Sequence, residues 1–196
     1  GYHNISSIIT FCDLYDIISI SKINHSKDII SFSGKFKNGI NKKINTATKV
    51  LQLIRKNKLL INQNFKINIK KNIPHGSGLG SGSANAADLL NYFNSKMKLK
   101  LSKEKIKKLA RKIGFDVPIS LERKNTFLTG KKDEILRIKN KFNFNMLVVY
   151  PNLICSTKKI YELNRHLSRE SLKPFLYMKS NKKVISFLKN QNNDLE

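Results

Sequence analysis

The sequence has no tryptophan, two cysteines and four prolines, and its 38 basic residues face only 13 acidic ones. Each shortage excludes something. Cys12 and Cys155 lie far apart and lack metal-ligand spacing, so neither a disulfide framework nor a zinc knuckle is available. Both read as reduced thiols of a cytosolic protein. No apolar run approaches the roughly 18 residues of a membrane span. No basic stretch leads into an apolar one at the start, so no signal peptide is expected. The expected location is cytoplasmic, with no membrane partner. The chain opens on Gly1 rather than on methionine, which reads as a piece of a longer protein. Its 196 residues, 40% hydrophobic and 9% aromatic, suit a globular fold with a real core.

What is abundant is positive charge, a net +25 at pH 7. That invites a nucleic-acid reading. The composition argues against it: 32 of the basic residues are Lys and only 6 are Arg. Lys, Asn and Ile share A/T-rich codons, so biased base composition produces the same mixture without selection for a partner. The lysines are also dispersed, whereas an RNA reader concentrates Arg and aromatics in one patch. No specific nucleic-acid partner is expected, only a salt-sensitive surface. A basic RNA-binding protein stays open as the alternative from another class.

Short β-branched runs at "ISSIITF", "DIISISKI" and "DIISF" predict strands. In "NTATKVLQLIRKN", Ala47, Val50, Leu51 and Ile54 fall on one helical face. "FKINIKK" alternates Phe65, Ile67 and Ile69 with polar residues, which predicts a strand buried on one side. Ala86, Leu89, Leu90, Phe93 and Met97 mark a second helix. Ser102 and Glu104 start a third, which carries Ile106, Leu109, Ala110 and Ile113 and which Gly114 can close. "NMLVVYPNLICS" predicts a strand pair around Pro151, with helical pieces after it, ending in "KVISFLKNQ". No internal repeat is present. This order is α+β.

Glycine is scarce too, yet four of the nine fall within Gly76–Gly82. They stand between an alternating strand and an amphipathic helix, with no spare residues for a linker. A loop without Cβ atoms brings its N–H groups, and those of the following helix, close to an anion. The P-loop pattern fails because no Lys follows Gly82. The dinucleotide pattern fails because its last glycine would be Ser81 or Ser83, and the acidic residue expected about 20 positions later is missing.

"PHGSGLGSGSANAA" resembles the second motif of the GHMP kinases, P-x-x-x-G-L-G-S-S-A. Within that superfamily it is most similar to the 4-diphosphocytidyl-2-C-methyl-D-erythritol kinases, whose version is K-x-I-P-x-x-x-G-L-G-G-G-S-S-[DN]-A-A. Ser81 stands where that version has glycine, and Ala84 where it has serine. "GYH" at 1–3, "GFDVP" at 114–118 and "NDLE" at the end resemble further blocks of the same family, in the same order.

The resemblance implies a GHMP kinase fold. Residues 1–140 would form an N-terminal ATP-binding domain of ribosomal-protein-like β-α topology, lacking its first strand. Residues 141–196 would form the first part of an α+β C-terminal domain. It implies ATP-dependent phosphorylation of the 2-hydroxyl of 4-diphosphocytidyl-2-C-methyl-D-erythritol in the non-mevalonate isoprenoid pathway, with Mg2+ accompanying the nucleotide. Another GHMP acceptor, such as homoserine, mevalonate or a sugar, is the alternative within the superfamily. Pro74, His75, Gly76, Ser77, Gly78, Leu79, Gly80, Ser81, Gly82, Ser83 and Ala84 would hold the ATP phosphates. Asn45 and Lys71 would line the adenine pocket. Asp116 would be the catalytic carboxylate, on a turn stiffened by Pro118, with Val117 pushed towards an extended conformation. Tyr2 and His3 on one side, and Thr157 and Tyr161 on the other, would clamp the cytosine. No metal-ligating residue is assigned. The family's catalytic Lys, in a K-[IL]-N-L strand before G-Y-H, and its third glycine motif fall outside this chain, so the piece alone is expected to turn over little or nothing.

Overall fold

A computed structural model describes residues 5–130, 134–139, 142, 144–151, 162 and 173–193. They divide into two compact units. One comprises residues 13–122, the other residues 1–12 with 123–196. Strand pairing joins the start of the chain to residues beyond 125.

The unit of residues 13–122 holds β2 (Ile17–Ile23), β3 (Ile29–Ser33), α1 (Thr46–Lys56), β4 (Asn64–Lys70), α2 (Ser81–Lys96), α3 (Lys103–Ile113) and α4 (Val117–Ser120). Its sheet has the order β2-β4-β3, with β4 antiparallel to β2 and parallel to β3. A parallel neighbour cannot be reached by a tight turn, and α1 lies in the crossover between β3 and β4. β4 is central, and its alternation decides the layers. Phe65, Ile67 and Ile69 are buried to 1% exposure or less, each burial stabilising by about 1.5–3 kcal/mol. They meet the faces predicted for the helices. Ala47, Val50, Leu51 and Ile54 of α1, Ala86, Leu89, Leu90 and Phe93 of α2, and Leu109, Ala110 and Ile113 of α3 form one core with them. Phe65 and Phe93 meet edge to face at 5.1 Å. On the opposite face Asn68 bridges β3, accepting from Ser33 Oγ at 2.8 Å and donating to Ser31 Oγ at 2.9 Å.

The other unit carries a sheet of order β1-β5-β6, all antiparallel: β1 (Ile5–Ile9), β5 (Thr126–Gly130) and β6 (Glu134–Arg137). A 3-10 turn (Lys173–Tyr177) and α5 (Asn181–Lys189) follow. Phe127, Ile138, Phe142, Phe175 and Val184 form its core.

Three local expectations are corrected. Residues 144–151 form no strand, so the part of the predicted pair around Pro151 that can be described is absent; residues 152–156 lie outside the described set. Met146, Leu147, Val148 and Val149 are exposed. An apolar β-branched run becomes a strand only where a ladder partner receives it. The strands of this region are instead β5 and β6, in "TFLTG" and "EILR", which pair with β1 and with each other. Val117 is not extended but the first residue of α4, with Pro118 in its first turn. Gly114 does close α3, in extended backbone at φ −177° rather than in a left-handed cap.

Candidate active site

β4 delivers the chain into the glycine loop, and α2 takes it away. Gly76, Gly78 and Gly80 have φ of 72°, 75° and 70°, a region that L side chains rarely enter. A Cβ built on Gly78 or Gly80 would meet nothing within 4 Å. Gly78 and Gly80 therefore serve the sign of φ and not internal packing, and the loop is open beside them. His75, Gly76, Gly78, Leu79 and Gly80 are exposed, while Pro74, Ser77 and the first turn of α2, from Ser81 to Ala84, are half-buried. Ser77 Oγ donates to the Pro74 carbonyl at 2.9 Å and tightens the turn.

The start of α2 differs from those of α1, α3 and α5. Those three are capped by the side chains of Asn45, Ser102 and Ser180. α2 begins at Gly80, with no side-chain cap. Its first intrahelical bond runs from Ala84 N to Gly80 O at 3.0 Å. The amides of Ser81, Gly82 and Ser83 thus stand at the positive end of the helix, which suits an anion. Thr46 Oγ1 donates to the Gly82 carbonyl at 2.9 Å and brings the start of α1 beside this turn.

That bond places Asn45 next to the loop, but its polar atoms are already engaged. Its Oδ1 accepts from Thr48 N at 2.9 Å, and its Nδ2 donates to the carbonyls of Asn41 and Lys42. Lys71 is buried at the loop's leading end. Its backbone N–H donates to Ser33 O at 2.7 Å, and its carbonyl accepts from Phe36 N at 3.3 Å. Gly34 makes this possible: at φ +88°, a Cβ there would sit 2.6 Å from Lys71 O. The Lys71 ammonium donates to Asp16 Oδ2 and, at 2.9 Å, to Ser81 Oγ.

Asp16, which the sequence analysis did not single out, is the centre of this cluster. Its Oδ1 accepts from Asn72 N at 2.8 Å and Ile73 N at 3.0 Å; its Oδ2 accepts from Lys71 and, at 2.9 Å, from Asn85 Nδ2. Burial by itself would raise this carboxyl's pKa. The hydrogen bonds from Lys71, Asn85 and Ile73, with the Lys71 charge, outweigh burial and hold it below the ordinary carboxylate value. The only signal in the sequence was an acid at the head of a predicted strand, with its partners 55 and 69 residues away.

Asp116 is exposed on the turn between α3 and α4, and its side chain does not cap α4. Its carbonyl accepts from Ser120 N at 3.3 Å, and the Val117, Pro118 and Ile119 that follow are buried. α4 packs against α2 and α3, so a rigid base carries the carboxylate. Tyr2, His3, Thr157 and Tyr161 lie outside the described residues.

Residues 45–123 match the family profile "GHMP kinases N terminal domain". The chain is 41% identical over 194 residues to the 4-diphosphocytidyl-2-C-methyl-D-erythritol kinase of Pelagibacter ubique, covering 99% of this chain and 67% of that protein. It spans little more than half the length of other curated relatives carrying the same name, 56% and 55% for two of them. Among solved structures it resembles a 4-(cytidine 5'-diphospho)-2C-methyl-D-erythritol kinase, with TM-score 0.64 and 22% identity over 84% of this chain and 57% of that one. It also resembles a homoserine kinase from Cytophaga hutchinsonii, with TM-score 0.59 and 16% identity over 79% and 53%. At these identities the structures establish a shared fold, one that serves different acceptors.

Proposed function

The chain belongs to the 4-diphosphocytidyl-2-C-methyl-D-erythritol kinase family within the GHMP kinases, and from that membership we propose that the full-length protein uses ATP to phosphorylate the 2-hydroxyl of 4-diphosphocytidyl-2-C-methyl-D-erythritol, in isoprenoid precursor biosynthesis in the cytoplasm. The observation that carries the nucleotide half of this reading is the loop: three left-handed glycines, with open space beside Gly78 and Gly80, leading into a helix start with no side-chain cap.

These residues fit a nucleotide. The amides of the loop from Pro74 to Gly80, and of Ser81, Gly82 and Ser83, offer donors to the phosphates; Ala84 closes the first turn. Asn45 and Lys71 enter as wall residues on the adenine side, since their polar ends are bound internally. ATP supplies the phosphoryl group, and Mg2+ would travel with it. Such an ion would be bound mainly through phosphate oxygens. Asp116 orients the acceptor hydroxyl and takes its proton; its place on a turn backed by buried Val117, Pro118 and Ile119 keeps the carboxylate aimed. Tyr2, His3, Thr157 and Tyr161 form the cytosine clamp of this proposal. In this proposal residues 1–140 are the ATP-binding domain and residues 141–196 part of a second domain. The dispersed lysines support no selective nucleic-acid partner.

Asp116→Asn keeps the shape and removes the basic oxygen. In the full-length enzyme kcat is expected to fall by roughly 10²–10⁴, with both KM values changing far less because the loss falls on the transition state. Steady-state kinetics beside Asp88→Asn checks this. A kcat within a few-fold of wild type for Asp116→Asn would remove the catalytic assignment.

A further inference from the structure

Asp16 does more than neutralise Lys71. The glycine loop leaves the sheet at Asn72 and Ile73 and returns at Ser81, and both ends are fastened to this one carboxylate. At the leading end, Oδ1 takes the backbone N–H groups of Asn72 and Ile73. At the trailing end, Oδ2 takes Asn85 of α2 directly and reaches Ser81 through the Lys71 ammonium. The Asp16 side chain is 0% exposed and that of Lys71 4%. Both charged ends are therefore spent beneath the loop and offer no donor to phosphates on its open side.

We infer that Asp16 is a positioning residue for the phosphate loop: it fixes the separation of the loop's two ends through Lys71, Asn85 and Ser81, so that the amides of the loop and of α2 hold the phosphate-binding arrangement before the nucleotide arrives. This rests on the phosphate-loop reading above. The physical basis is preorganisation: a loop already held in its bound shape loses less conformational entropy on binding. Ser81 departs from the 4-diphosphocytidyl-2-C-methyl-D-erythritol kinase version of the motif and agrees with the wider GHMP one. The narrower motif has glycine there, which offers no side-chain acceptor to the Lys71 ammonium; here the hydroxyl accepts a hydrogen bond of 2.9 Å that ties the clamp to the first turn of α2.

The test uses the full-length protein, reading KM for ATP at saturating acceptor, KM for the acceptor, and the thermal midpoint. Asp16→Asn is expected to raise KM for ATP about 10- to 100-fold while KM for the acceptor stays within about two-fold. Ser81→Gly, which keeps the buried ion pair and so folds, is expected to raise KM for ATP about three- to ten-fold, and Ser81→Thr, which keeps the hydroxyl, to restore it. Asp28→Asn, a lost pairing elsewhere in the same unit, is expected to lower the midpoint without moving KM for ATP. Gly78→Val separates the two readings. If it destroys ATP binding while folded Asp16→Asn and Ser81→Gly keep the wild-type KM, the clamp is overturned and the phosphate loop stands. Should Asp16→Asn fail to fold, Ser81→Gly with its threonine rescue decides. If Gly78→Val itself leaves ATP binding unchanged, the loop reading falls and the clamp with it.

Discussion

The two ends of β4 carry the same chemistry to different purposes. At its start Asp28 meets Arg55, and just past its end Asp16 meets Lys71. The Asp28 pair is a two-pronged one, Arg55 Nε to Oδ2 at 2.8 Å and Nη2 to Oδ1 at 2.7 Å. It is also partly wet, with Arg55 32% and Asp28 15% exposed. Arg55 also donates to the carbonyls of Leu60 and Gln63 and to Asn64 Oδ1, while Asp28 accepts from Phe65 N. All of this stitches α1 to the strand that follows it. The pair at the other end is dry, uses Lys, and shares its atoms with the two ends of a loop. An arginine fork suits a planar, self-contained brace. A buried ammonium with three donors can divide itself between a carboxylate and a hydroxyl, and so couple elements that share no backbone ladder. A brace and a coupling joint differ in how much is lost when they are cut.

The sharpest break is Asp16→Ala. It strands a buried ammonium, for which about 3–5 kcal/mol of stability is expected to go, and equilibrium unfolding in denaturant measures it. The same carboxylate has a pH signature. Its folded pKa lies below the unfolded one, so its contribution is complete above the ordinary aspartate range and is lost as the pH falls through the folded value, below roughly 4. Unfolding free energies at pH 7 and near pH 3 are expected to differ less in Asp16→Asn than in wild type. Next comes Gly34→Ala. Its Cβ would press on Lys71 O at 2.6 Å from a left-handed backbone, for an expected loss of about 2–4 kcal/mol. That loss comes with weakened ATP binding, because Lys71 must shift. Asp28→Asn is milder, about 1–2 kcal/mol, with KM for ATP unchanged; a changed KM would erase the distinction between brace and joint. Gly82→Ala is the smallest. Its Cβ finds Thr46 Oγ1 at an ordinary 3.7 Å, and replacing glycine inside a helix is expected to raise stability by up to about 1 kcal/mol in a thermal melt.

Much of this was legible beforehand because it is local. The alternation of Phe65, Ile67 and Ile69 is a property of seven adjacent residues, and the sheet confirms its buried face. The helical spacing of Ala47, Val50, Leu51 and Ile54 and the cap at Ser102 are likewise local, and both are realised. The glycine cluster marked its own loop because left-handed backbone is a property of single residues, found here at Gly76, Gly78 and Gly80. Strand identity beyond residue 120 was not legible in this way. "NMLVV" has better strand composition than "EILR", yet a strand exists only where another offers its ladder, and β5 offered one edge to β1 and the other to β6. Asp16 was illegible for the same reason in a sharper form. Nothing within ten residues of it predicts a buried lysine partner. The pairing exists because β2 and β4 run side by side and α2 packs over them, which brings residues 55 and 69 positions away onto one carboxylate. Short-range order follows from steric and hydrophobic preferences carried by neighbouring residues. The position of a charge in a dry interior depends on what the rest of the fold brings against it.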